Sequence, residues 1–572
     1  MPLENIKLFF GNLLSFDDKF PLLFTQFYFW AFFALVFTGL AFLKNKILLR
    51  NVFLMFASLF FYFKTSGLFV ILLLFTTLNC FLIGKQIDLT ISVKKRKWLV
   101  FLGVFINLFL LAYFKYAYFF TSVYNAMFHT NIEIVNYLAL WVNHFSGTSY
   151  FRVDHIILPV GISFYTFQSI SYLLDVYRKR ISHTPNFFDF GFFVSFFPGL
   201  VAGPIIRANQ FMPQLYKKFF LSRRQFGIAV FWILNGLLKK LILSDYLAVN
   251  FVDRIIENPQ FFTAFENLSA IFVYSLQVYA DFSGYTDIAI GVAMLLGFYM
   301  PKNFASPYKA TNPGDFWKRW HISLSTWLKD YLYIPLGGNR KGKFRTNVNL
   351  MITMLLGGLW HGASWNFVIW GGLNGLGIII FKKWRKINNL KRLGITFSLF
   401  LFSLLLFYLF PFPAFKIALV WTGIICLGSF LTYLYIDIFD KQPLSKVNRA
   451  WSIFLTFVFI TFTRLFFRSG SNLDPAEQTA HAWNTAKAMV NQIGGVWNWS
   501  QIPEIVATYW AVFLLFVLGM IIHWLPERWK RWYRLNFTLL PIWVIGIAVV
   551  IAVFVVYQFI TADLQPFIYF QF

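Results

Sequence analysis

The sequence predicts an all-α, polytopic membrane protein, and three observations predict it. Hydrophobic residues make up 58% of the chain and aromatic residues 22%, while only 13% are charged, about half the charged fraction of a soluble domain. Apolar runs at 98–120, 268–298 and 539–557 reach or approach the roughly 20 residues a helix needs to cross the hydrocarbon core. Lys and Arg number 50 against 23 Asp and Glu, a net charge of +27, and most of these cations sit between apolar runs. In a soluble chain such a surplus would point to nucleic acid. Here it reads as a topology signal, and no nucleic-acid partner is expected.

Taken in order, spans are expected near residues 23–43, 51–63, 67–84, 98–120, 156–177, 226–243, 268–298, 394–411, 414–436, 451–467, 503–524 and 538–558. The stretch before Pro21 mixes Glu4, Lys7, Asp17, Asp18 and Lys19, and no Ala-x-Ala pattern follows the first apolar run, so the first span is expected to be retained. With the N-terminus outside, 38 of the 50 basic residues fall on the cytoplasmic side, in clusters from Lys44, Lys46 and Arg50 through 302–345 and 382–392 to 528–534. Orientation and attraction to anionic headgroups, at about 1 kcal/mol per cation near the surface, account for them. The polar intervals 121–155 and 469–502 then lie outside, the second with a helix-like stretch from Pro475 to Gln492. Neither a repeat nor a low-complexity linker divides the chain, so 1–572 reads as one membrane-embedded domain. Cys80 and Cys426 both lie in apolar stretches and fit neither a disulfide framework nor a zinc site.

One segment breaks the alternation. Residues 346–381 connect two basic clusters assigned to the same side, yet they are apolar and Gly-rich, so they must enter the bilayer and return. Irregular backbone at that depth is tolerated only inside protein or along a wet cavity. His361 falls near the turn of this excursion. The stretch 187–206, interrupted by Phe197-Pro-Gly-Leu-Val-Ala-Gly-Pro204, is a second re-entrant candidate.

Among the eight histidines, His129, His144, His155, His183, His481 and His523 lie in loops or at span ends and read as interfacial polar groups. His361, an ionisable residue at membrane depth, is a functional candidate by that placement, against the alternative of a packed core histidine beside Trp360. His321 follows Asp315-Phe-Trp-Lys-Arg-Trp320 and belongs either to an interfacial helix anchored by Trp317, Trp320 and Trp327 or to the same site. Together the two imidazoles would supply a general base for a hydroxyl and a group that orients or polarises an acyl carbonyl. They are forty positions apart, with no Cys, Glu or third His at ligand spacing, so no metal is expected. A Walker loop and a Gly-x-Ser-x-Gly elbow are both missing. Asp281-Phe-Ser-Gly-Tyr-Thr-Asp287 places two carboxylates in a long span, either to lock helix packing or to relay protons.

Five motifs carry a resemblance. Pro159-Val-Gly-Ile-Ser-Phe-Tyr-Thr-Phe-Gln168, Phe197-Pro-Gly-Leu-Val-Ala-Gly-Pro204, Asp281-Phe-Ser-Gly-Tyr-Thr-Asp287, Asp315-Phe-Trp-Lys-Arg-Trp-His321-Ile-Ser-Leu-Ser and Gly357-Gly-Leu-Trp-His361-Gly-Ala-Ser-Trp365 resemble the membrane-bound O-acyltransferase superfamily in its bacterial polysaccharide branch. That branch includes alginate and peptidoglycan O-acetyltransferases and the teichoic-acid D-alanyl transferase. The motif-bearing core covers about residues 100–385; the spans before it and after 394 match mainly in hydropathy. The resemblance implies a ring of tilted transmembrane helices with re-entrant segments around a central tunnel, His361 as the catalytic histidine and His321 as the second polar position. It also implies acetyl-CoA as donor substrate, with no bound cofactor. The basic residues Lys318, Arg319, Lys329, Arg340, Lys341 and Lys343 would suit the donor's phosphates electrostatically, and they suit the positive-inside rule equally.

The tail 561–572 ends in Phe567-Ile-Tyr-Phe-Gln-Phe572. It reads as an aromatic segment resting at the interface, and it is also similar to the C-terminal motif of the small membrane peptide that serves the D-alanyl transferase. On that resemblance Tyr569 is an acyl relay that folds into the outer funnel, its phenol needing a base because its pKa is near 10. The resemblance further implies an extracytoplasmic, esterase-like transferase as partner, since the chain has no soluble catalytic domain, and residence in the bacterial cytoplasmic (inner) membrane. The acceptor polymer, and acetyl against D-alanyl as cargo, stay open. A transporter or flippase using Asp281, Asp287 and His361 is the reading from another class, and it would call for inverted repeats that the sequence does not display.

Overall fold

The computed structural model describes residues 21–147, 149, 152–201, 203–442, 444–468 and 475–559. Among them the regular structure is entirely helical, as a bilayer requires of a chain whose backbone groups have no water to bond. Among these residues six helical stretches are long and apolar enough to cross a membrane, or up to eight if each of two sharply bent pairs is one span. The protein is thus a multi-pass, all-α membrane protein.

Most expected spans correspond to helices, with informative shifts. The pair 51–63 and 67–84 becomes Ile47–Ser66 and Val70–Leu89, separated at Gly67, whose φ of +59° favours glycine. Residues 156–177 shorten to the buried helix Ile162–Tyr177. The expected span 503–524 is two helices, Ile502–Thr508 and Trp510–Trp524, bent by 84°. Around 538–558 the chain turns by 117° between Glu527–Leu539 and Ile542–Phe559, because Pro541 cannot continue the first helix. The cations at 528–534 therefore lie on a separate amphipathic helix instead of merely flanking a span.

Two compact units divide the chain. The first comprises the described parts of 1–238, 282–303 and 528–558. Its core is aromatic: Phe196, Phe211 and Phe298 pack with centroids 4.9 to 5.4 Å apart. The second re-entrant candidate lies here as two short buried helices, Phe187–Ser195 and Phe197–Leu200. Asp189 accepts from Asn51 at 2.9 Å, while Arg50 donates to the carbonyls of Leu215 and Lys217 at 2.5 and 2.8 Å. Irregular backbone is thus wrapped in protein, as burial in hydrocarbon demands.

The second unit comprises the described parts of 239–281, 304–527 and 559. At its centre the helices Gly342–His361 and Trp365–Trp384 form an antiparallel hairpin with its turn at 362–364. Small residues permit the close approach: a Cβ on Gly358 would strike the carbonyl oxygen of Phe367, and one on Gly371 would strike that of Met354. The apolar excursion 346–381 is therefore a hairpin of two 20-residue helices.

Candidate active site

His321 is placed by a short relay of caps. Pro313 opens the helix Pro313–Arg319, and the Asn312 side chain accepts the Asp315 N–H at 2.8 Å, satisfying a donor the helix leaves open. Asp315 in turn receives Arg319 Nε at 3.0 Å. The helix ends at Trp320, His321 takes φ +43° and ψ +57°, and Ile322–Leu328 begins at once. A left-handed conformation costs a residue with a Cβ about 1–2 kcal/mol, so it persists only where surroundings over-determine it. The result is a fully buried imidazole between two helices rather than on the face of one interfacial helix.

His361 is the last residue of the first hairpin helix, and it too is buried. Trp360, Trp370 and Phe467 stand edge-on to it with ring centroids at 5.0, 5.1 and 5.4 Å. The His321 ring lies 6.4 Å from it and 5.8 Å from Trp360. Two histidines forty residues apart in sequence thus share one aromatic enclosure. Trp370 is held in turn by Trp317 at 5.6 Å, whose indole N–H donates to Asn374 at 3.3 Å.

A cavity of about 330 Å³ has His361 in its wall. Its lining is largely apolar, with Leu328, Leu350 and Met354, but it also includes Lys318, Lys329 and Lys382. Of the basic residues considered from sequence, Lys318 and Lys329 reach this cavity, whereas Arg340, Lys341 and Lys343 do not line it; Lys382 joins from the next cluster. Arg319 is engaged with Asp315 instead. His321 is not among the lining residues, so the pair differ in position: one faces the cavity and the other backs it.

Asp281 lies elsewhere in this unit, its carboxylate 2.8 Å from Lys240 Nζ, which also meets Asp245 at 2.7 Å. In the first unit Asp287 accepts from Asn235 at 2.6 Å. Both carboxylates thus have partners on neighbouring helical segments. Tyr569 and the rest of the tail 561–572 lie outside the described residues. Sequence reasoning missed Arg464, Phe467 and Trp370. Arg464 carried a usable signal, being an ionisable residue inside an expected span, the same criterion that singled out His361.

An all-helical membrane fold that buries two histidines together, one of them in the wall of a largely apolar cavity, suits transfer of a group that must be kept from water. Residues 56–411 match the MBOAT, membrane-bound O-acyltransferase family. The chain belongs to that family and is an acyltransferase, which answers the transporter alternative. Among curated relatives, the probable alginate O-acetylase AlgI of Azotobacter vinelandii is 36% identical over 82% of this chain and 92% of its own length. That of Pseudomonas putida is 41% identical over 60% of this chain and 67% of its own. The peptidoglycan O-acetyltransferase of Helicobacter pylori is 36% identical over 65% and 72%.

Proposed function

We propose that the chain is a membrane O-acetyltransferase of the bacterial cytoplasmic membrane, taking acetyl groups from acetyl-CoA and delivering them for O-acetylation of an extracytoplasmic polysaccharide. The observation that carries the reading is His361 in the wall of a cavity that also holds Lys318, Lys329 and Lys382. The lysines suit the phosphates of the donor, and the apolar remainder suits its thioester arm. The acetylating names of the relatives support the acetyl group as cargo.

In this mechanism the His361 imidazole takes the proton of an acceptor hydroxyl as its oxygen attacks the thioester carbonyl. The C–S bond breaks, and the leaving thiolate takes the proton from the imidazolium, giving an ester and free CoA. His321 orients the carbonyl. Tyr569 is the first acceptor in the relay form of the proposal, and an extracytoplasmic esterase-like partner then passes the acetyl to a sugar hydroxyl, restoring the phenol. The test is acetyl-CoA turnover by purified protein. His361→Ala is expected to lose about 10²–10⁴-fold, the usual contribution of a general base; unchanged turnover removes His361 from the mechanism. Intact mass after incubation with acetyl-CoA checks the relay, with an acetyl adduct expected in the native protein and none in Tyr569→Phe.

A further inference from the structure

The turn that closes the helix Ser445–Thr463 meets His361 at one end and Trp320, the chain neighbour of His321, at the other. At its head is Arg464, 4% exposed, with its guanidinium carbon 4.4 Å from the Trp320 ring centroid and 5.6 Å from that of Tyr308. Its Nη1 donates to the Ser275 carbonyl at 3.4 Å, an oxygen that also accepts the Tyr308 hydroxyl. Arg468, four residues on, has Asp253 at 2.8 Å. Among the described residues no carboxylate pairs with Arg464 in this way; the indole face takes that place. Guanidinium suits such a contact because it is planar and weakly hydrated, which ammonium is not.

The other end of the turn is Phe467, whose N–H donates to the Arg464 carbonyl at 2.9 Å. Its ring lies 5.4 Å from His361 and 4.9 Å from Trp370. Between them, the Phe466 carbonyl accepts Asn366 Nδ2 at 3.0 Å, tying the turn to the hairpin just past His361. Four consecutive residues therefore grip the neighbour of His321 with one side chain and His361 itself with another. They lie outside the region 56–411 that matches the family.

We propose that the Arg464–Phe467 turn is a positioning element for acyl transfer, with Arg464 acting through Trp320 to hold His321 at its working distance from His361. The inference rests on the reading of these histidines as the reactive pair. Arg464 touches neither imidazole in this account; it fixes the backbone at 320–321, where the left-handed His321 would otherwise relax.

The experiment compares Arg464→Lys, Trp320→Phe, their double variant and Phe467→Leu in the purified enzyme, measuring kcat for acetyl transfer and KM for acetyl-CoA alongside thermal unfolding. Arg464→Lys keeps the charge but loses the planar stack, and about a tenfold fall in kcat is expected. KM should hold, because neither Arg464 nor Trp320 lines the cavity. The double variant should be no slower than Arg464→Lys alone, since both changes remove one contact, and Phe467→Leu should also lower kcat. Wild-type kcat in a folded Arg464→Lys protein, a change confined to KM, or additive losses in the double variant overturns the proposal. If Arg464→Lys does not fold, Phe467→Leu decides, and native kcat there overturns it equally. The two readings fail separately: an active His361→Ala enzyme sinks the histidine mechanism, whereas an inactive one beside a fully active Arg464→Lys sinks only the positioning role.

Discussion

Gly371 sits where the two hairpin helices are closest, and replacing it by alanine tests whether that approach sets the position of His361. A Cβ there would meet the Met354 carbonyl oxygen well inside contact distance, with Gly358 Cα at 3.1 Å and Met354 C at 3.2 Å. All three are backbone atoms, so no side chain can swing aside. The helices must separate by about 1 Å, and a displacement of that size at a reacting group costs on the order of 10²-fold in rate. Overpacking of this kind lowers stability by about 1–3 kcal/mol. Gly372→Ala is the matched control: its Cβ would meet only the end of the Leu355 side chain, at 3.3 Å. Acetyl-CoA turnover and thermal unfolding of the reconstituted enzyme read both effects. Gly371→Ala with native turnover and native unfolding temperature would refute the argument that the hairpin contact positions the histidine.

Other changes separate strain, charge and chemistry. His321→Asn should fold, because asparagine tolerates the left-handed backbone, yet lose about 10² in turnover; His321→Val should in addition unfold more readily, by about 1–2 kcal/mol, as thermal denaturation will show. Replacing Lys318, Lys329 and Lys382 together by Gln should raise KM for acetyl-CoA several-fold with kcat retained, and flatten its dependence on ionic strength. A shift confined to kcat would dissociate these lysines from donor binding. Lys240→Met leaves Asp245 and Asp281 facing each other in a buried site and should cost about 3–5 kcal/mol, with part regained by adding Asp281→Asn; denaturant unfolding of the single and double variants measures both.

The fold class was legible because hydropathy and cation placement act over whole segments. The boundaries were less so where local chemistry interrupts a uniform apolar run, as Gly67 does within 47–89 and Pro541 does before the last helix. The hairpin carrying His361 was readable from charges alone, since assigning its two flanking basic clusters to one side calls for the chain between them to return. Its form was not: glycines 358 and 371 are thirteen positions apart in sequence, and only the antiparallel pairing makes them neighbours. For His321 the sequence left an interfacial helix as an equal reading, because the left-handed residue that splits the segment in two has no periodic signature. Arg464 lay inside the expected span 451–467, outside the sidedness count, and nothing in its local sequence links it to Trp320, 144 positions earlier.

On the proposed function, the surroundings of His361 also bear on a problem that any enzyme opening a thioester faces. A base able to activate a sugar or tyrosyl hydroxyl will activate water as readily, and water is far more concentrated. His361 and His321 are buried to 1% and 0% exposure, and Trp360, Trp370 and Phe467 occupy the space beside the His361 ring that solvent would otherwise take. Exclusion of this kind suppresses hydrolysis without any residue selecting against water. It follows that opening the enclosure should change the product before it changes the rate of donor consumption. Phe467→Ala, which removes the ring nearest the turn, should raise acetyl-CoA hydrolysis measured without acceptor while lowering acetyl transfer. If both fall together, the rings serve placement alone, and the barrier to water must lie elsewhere in the fold.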